Sequence, residues 1–119
     1  MGILVLNVRG LSRKERRRDI KYHVHKCSPS IVGLVETKVR PNKSYRIIRS
    51  LPADWNHVHN YEFSNKGRIW FSWNTSIWSC QVICVSLQQI TVHAINKGGL
   101  DIVLSIVHGE NWISMRDQL

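Results

Sequence analysis

The sequence predicts an α+β fold: a β-α-β opening followed by a mainly antiparallel meander. Three observations predict it. Two short apolar runs, Ile3 to Asn7 and Ile31 to Val35, flank a segment with helical periodicity. Beyond Trp55 the chain breaks into five β-rich runs separated by turn residues. With 119 residues the chain has the length of one domain.

Each element has its own warrant. "ILVLN" is enriched in β-formers and short enough for a buried strand. After "VRG", Ser12 and Glu15 have the spacing of a capping box, in which each side chain satisfies an orphan amide at a helix start. Ile20, Val24 and Cys27 then recur at i, i+4 and i+7 as one apolar stripe among Lys and Arg. Pro29 closes the helix, and "IVGLV" is the second strand. A strand, a helix and a strand in this order predict parallel neighbours joined by a right-handed crossover.

"YRIIRSL" reads as a short helix. "VHNYEF", "RIWFSWN", "SCQVICVS", "QITVHAI" and "DIVLSIV" read as strands, with Asn65-Lys66-Gly67, Asn74-Thr75 and Lys97-Gly98-Gly99 as turns. Alternation predicts that Trp70 and Trp73 face opposite ways, and that Cys80 and Cys84 share a buried face. His57 and His59 share a face in the same way. His23 and His25, on a helix, do not converge.

Charge narrows the partners. Seventeen Lys and Arg against eight Asp and Glu give +9 and a pI near 10.0. That balance favours polyanions, nucleic acid first. The densest run, "RKERRRDIK", reads equally as a nuclear-targeting patch or a solvated helix face. No apolar run is long enough to span a bilayer as a helix, and the three cysteines are odd in number with no secretory context. The expected setting is intracellular, with the nucleus as the place of action.

One position stands out. The second strand ends on Glu36, followed by Thr37 and Lys38, and the first ends on Asn7. In parallel α/β units, ligands collect at the carboxyl ends of strands, and adjacent strands lie about 4.8 Å apart. An amide beside a carboxylate suits Mg²⁺, which prefers oxygen ligands and few protein carboxylates. The plainer reading, two polar residues at ordinary strand ends, stays open at this point.

The string "LNVRGL", a basic helix, and then "CSPSIVGLVETKV" resemble the opening of the endonuclease/exonuclease/phosphatase superfamily. The likeness is to the endonuclease domain of plant LINE-type retrotransposons, whose openings read like "WNVRGL…KPDIVGLQETK". "GRIWFSWN", "LQQITVHAI", "DIVLSIVHGEN" and "MRDQL" follow in the family's order. The resemblance implies a partial DNase I-like α/β sandwich, a Mg²⁺ (or Mn²⁺) cofactor and DNA as partner, held through phosphates without sequence preference. It implies that Glu36 is the metal ligand and that Asn7, His108 and Asn111 belong to the catalytic site. Arg9, Lys38, Arg40 and Arg68 are the expected nucleic-acid contacts.

The chain departs from that pattern. His108 in "VHGEN" stands where relatives carry Tyr, and no Trp precedes Asn7. The family's "GDFN"-like strand, a later Asp and a terminal "SDH" are missing. The expectation is a single incomplete domain, 1–119, truncated on its C-terminal side and inactive alone. An inner sheet face including Val82, Val92, Ile102 and Leu104 is then expected to lack its covering layer and to promote self-association. A non-catalytic basic nucleic-acid-binding module and a decayed element without function are the alternatives.

Overall fold

The computed structural model of the chain describes residues 2–11, 13–63 and 69–108. Strand β1 (Gly2–Asn7) leads through α1 (Lys14–Cys27) to β2 (Pro29–Val35). A 3₁₀ turn (Pro41–Lys43) and the four-residue α2 (Tyr45–Ile48) follow. Then come β3 (Asn56–His59), β4 (Ile69–Trp73), β5 (Trp78–Val85), β6 (Gln89–Asn96) and β7 (Asp101–Val107). The first four strands form one sheet in the order β1-β2-β4-β3, and the last three form a second, β5-β6-β7.

The β-α-β opening is as expected: β1 and β2 pair in parallel, with Leu6 opposite Leu34 and Asn7 opposite Val35. The later strands do not form one meander. β4 runs antiparallel to β2, and β3 to β4, so both complete the first sheet. "IWFSW" is buried at every position, as a central strand covered on both faces must be.

Alternation along β2 and β4 divides the core in two. Val32, Leu34 and Trp70 face the helices and pack with Leu11, Ile20, Ile47 and Trp55. Ile31, Val35, Ile69, Phe71 and Trp73 face the second sheet and pack with Trp78, Ile90, Val92, Ala94 and Ile106. Trp70 and Trp73 therefore do point to opposite faces. Each fully buried Ile or Leu contributes on the order of 1.5–3 kcal/mol, so both faces of this sheet carry folding energy. At Gly33 the second sheet packs directly on the backbone of the first: a Cβ there would lie 3.0 Å from Ile106 Cδ1.

The expectation of an uncovered inner face is corrected. Val92 is wholly buried, and Ile102 and Leu104 pack against the intersheet cluster. Their covering layer comes from within the chain, because β3 and β4 left the meander for the first sheet. Val82 alone stays open, 40% exposed on the outermost strand. Bare apolar side chains stand on the outer face of the second sheet, at Val103 and Val107, and on β1, where Ile3 and Val5 are 47% and 50% exposed beside Ile31 and Gly33 on the intersheet side.

The helix begins at Lys14 with Arg13 as its N-cap and no side-chain capping bond from that residue; Ser12, and with it the expected Ser12–Glu15 box, lies outside the described residues. Cys27 is exposed while Ile20 is buried, since the apolar stripe leaves the core in the last turn. The register shifts between Val82 and Cys84. This bulge puts Cys84 opposite Thr91 on the outer face, whereas burial pushes the inward Cys80 thiol up to about 11.

Candidate functional site

The carboxyl ends of β1, β2 and β3 share one edge of the first sheet and those of β5 and β7 one edge of the second; His108–Glu36 and Asn60–Leu87 hydrogen bonds join the two edges into one rim. Side chains lock this rim. Asn60, just past β3, is fully buried: its amide donates to Leu87 O at 2.9 Å, and its Oδ1 accepts from Ile69 N at 3.0 Å. His108, just past β7, donates its backbone N–H to Gln88 O at 2.8 Å. At the opposite end, Trp78 Nε1 donates to Ser30 Oγ at 2.8 Å across the sheets.

Past the strand ends, two loops continue side by side. Val8 N–H donates to Val35 O (3.0 Å), Gly10 to Glu36 O (2.7 Å) and Leu11 to Thr37 O (2.8 Å). Val8, Leu11, Thr37 and Val39 point inward and are buried. Arg9, Lys38 and Arg40 are exposed, and Glu36 is half-exposed beside them. Anchors and charges alternate, so the inward residues hold the outward ones in place.

The backbone here is strained. Arg9 (φ 48°), Glu36 (φ 59°) and Lys38 (φ 53°) are all left-handed and none is glycine. Gly10 between them has φ 101°. Left-handed residues with a Cβ cost about 1–2 kcal/mol each, and such conformations gather at binding and catalytic sites.

Glu36 is the centre of the arrangement. His108 Nε2 lies 3.2 Å from Glu36 Oε1, a bond that joins residues 72 positions apart and bridges the two sheets. An ionised carboxylate only accepts, so Nε2 carries the proton. This hydrogen bond holds the Glu36 carboxyl below its ordinary value; the His108 charge, an Asn7 hydrogen bond and the Lys38 charge act in the same direction, against partial desolvation. His108 is only 8% exposed, and its Nδ1 is buried without a partner. The Thr37 hydroxyl is likewise buried and unpartnered. Buried polar atoms left unpaired cost about 1–3 kcal/mol each, and two of them flank one carboxylate.

The structure thus brings together Asn7, Glu36, Lys38 and His108, with Arg9 and Arg40 exposed on the same pair of loops. Asn111 and Arg68 lie outside the described residues. Thr37 was missed in the sequence; its only signal was a position between Glu36 and Lys38. Among the described residues no three His, Cys, Asp or Glu gather as a metal shell, and no helix is long and apolar enough to cross a membrane.

With this geometry in view, the likeness to known proteins can be stated. The chain superposes on the endonuclease domain of TRAS1, a telomere-specific non-LTR retrotransposon, with a TM-score of 0.68 at 9% identity, over 98% of this chain and 50% of that one. The fold is DNase I-like. A humanized D. rerio TDP2 carrying 14 mutations matches with a TM-score of 0.63 at 16% identity, over 98% of this chain and 54% of that one. The chain spans about half the length of the solved structures it matches. No family model matches the sequence, and no curated protein matches it. The two-sheet α/β architecture expected from "LNVRGL" and "SIVGLVETKV" is therefore present, with Asn7 and Glu36 side by side at its rim.

Proposed function

We propose that the chain carries the amino-terminal half of the active site of a Mg²⁺-dependent phosphodiesterase, a DNA endonuclease of retrotransposon type, and that it does not cleave DNA alone. The observation that carries this reading is Glu36. It is a carboxylate kept ionised at the carboxyl end of a parallel pair, in a strained loop, hydrogen-bonded by Asn7 and His108. The donor set fits a hard cation. One carboxylate and the Asn7 amide oxygen are oxygen ligands, and Mg²⁺ takes one or two protein carboxylates and completes its shell with water and phosphate.

Glu36 would hold the cation, which when bound stabilises charge developing on the phosphate. The remaining roles belong to this chain's own groups. Asn7 and His108 fix the Glu36 carboxylate by hydrogen bonds. Arg9, Lys38 and Arg40 attract the backbone on either side. Among the described residues no three His, Cys, Asp or Glu converge there, which supports the absence of turnover.

Two measurements test this. Mn²⁺ should broaden the NMR signals of the Asn7 side-chain amide in the wild-type protein and leave them sharp in Glu36→Ala; equal broadening in both would remove Glu36 as ligand. Supercoiled plasmid incubated with the chain in Mg²⁺ or Mn²⁺ should stay supercoiled. Nicking that is lost with Glu36→Ala would show a complete catalyst and overturn the half-site reading.

A further inference from the structure

We infer that the chain has a second nucleic-acid backbone site, on its helical side and apart from the rim: a basic trough between α1 and the segment after α2.

The trough is built by helix geometry. At about 100° per residue, Lys14, Arg18, Lys21 and His25 fall on one side of α1, next to the buried stripe of Ile20 and Val24. Glu15 and Asp19 fall on the outward side. Arg49, just after α2, closes the facing wall. Lys14, Arg17, Arg18, Lys21, Arg49 and Ser50 line a cavity of about 330 Å³. A wider cavity of about 520 Å³ continues from it, sharing Lys21, Arg49 and Ser50 and adding His25, Ser28 and Asn74. Among the described residues no carboxylate lines either.

Three features separate this trough from an ordinary solvated helix face. First, the cations stand on two walls from different elements, so they converge on one concave surface. Second, Lys14, Arg18 and Lys21 make no ion pair among the described residues, although Glu15 and Asp19 are within the same helix. Third, two of the guanidinium groups are held in place. Arg17 donates to Leu11 O at 2.9 Å, and Arg49 lies over the Tyr45 ring at 5.6 Å. Holding Lys14, Arg18, Lys21 and Arg49 beside one another raises the free energy of the empty site, and an incoming polyanion relieves it.

Spacing identifies the ligand. Lys14 to Lys21 spans seven residues, about 10 Å at 1.5 Å per residue. One strand of a duplex presents a phosphate about every 3.4 Å of axis, so some three successive phosphates match this row. A phosphate backbone followed through its charge, without base readout, is the partner such a trough fits. The rim reading does not depend on this site, nor this site on the rim.

The experiment is fluorescence anisotropy with a labelled duplex of mixed sequence, titrated at several salt concentrations. Its proteins are the wild type, the trough variant Arg18→Ala/Lys21→Ala/Arg49→Ala, and the rim variant Arg9→Ala/Lys38→Ala. The exchanged side chains are exposed, and circular dichroism melts check the fold. Each lost phosphate contact lowers the slope of log affinity against log salt by about 0.9. The trough variant should therefore lose about 2–3 from the slope, and the rim variant should lose its share separately. A trough variant with wild-type affinity and slope would show a solvated helix face and overturn the inference. So would wild-type binding to anionic lipid vesicles that needs these three cations while duplex binding does not.

Discussion

Gly33→Ala tests whether the two sheets meet where the structure places them. The new Cβ would lie 3.0 Å from Ile106 Cδ1 and 3.3 Å from Ile106 Cγ1, inside the 3.5–4.0 Å at which carbon atoms rest. Ile106 is 6% exposed in the intersheet cluster, so it moves only by disturbing its neighbours. Overpacking of this kind costs about 1–3 kcal/mol. Against it stands a gain of about 0.4–1 kcal/mol from a less flexible unfolded chain. The net expectation is a loss of about 1–2 kcal/mol. Ile106→Val removes the Cδ1 atom and should itself cost about 0.5–1.5 kcal/mol. Because it also removes the nearer clash, the double variant should be more stable than the sum of the singles by at least about 0.5 kcal/mol. Urea unfolding followed by tryptophan fluorescence reads this directly, since Trp73 and Trp78 lie in the same cluster. A neutral Gly33→Ala, additive with Ile106→Val, would refute the contact and with it the sandwich.

The remaining predictions concern the rim and the open strand. Lys38→Gly relieves a left-handed φ of 53°, so it should stabilise the fold in urea by up to about 1 kcal/mol while weakening duplex binding; lower stability would deny the strain. Glu36 has a carboxyl held below its ordinary 4.5, chiefly by His108. Its contribution should be complete above pH 4.5 and disappear as pH falls through the lower folded value. The stability difference between wild type and Glu36→Gln should then be flat above that pH and shrink below it, whereas a difference constant down to acid unfolding would contradict the bond. The wild-type chain should self-associate through the open side of β1 in light scattering, and Ile3→Lys/Val5→Lys, which places charge there, should return it to monomer; a monomeric wild type, or association unchanged by both charges, would clear this surface.

The strands were legible because their β-rich runs are bounded by turn residues, and the parallel pair because a helix with one apolar stripe separates two such runs. Partnership was not. Nothing in "RIWFSWN" names β2 as its neighbour, and chain order alone joins it to "SCQVICVS". A cue existed, since a run with no exposed alternate positions is one that must be covered twice, and burial on both faces is what β4 shows. The bulge at Val82 to Cys84 is hidden for a different reason. Val82 to Val85 is a continuous apolar run with no break in its pattern, and the extra residue is revealed only by the partner strand, where Val92 and Thr91 are consecutive.

The site divides along the same line between local and distant information. Glu36 and Asn7 could be named because a carboxyl terminus of a parallel strand is a position, and position follows from local pattern. The state of Glu36 could not, because it depends on a histidine 72 residues away, on the other sheet. Nor could the strain, since left-handed φ is foretold by Gly or Asn and here falls on Arg9, Glu36 and Lys38. Those same residues explain why the strain persists. A glycine at each would relax the loop but deliver no charge. The ladder from Val8 to Leu11 against Val35 to Thr37 fixes the backbone, and Leu11 and Val39 anchor it from below. The fold spends packing energy on holding three charged side chains in an unfavourable backbone. That arrangement is what the proposed rim requires, two cations to meet a phosphate and one carboxylate to meet a metal ion.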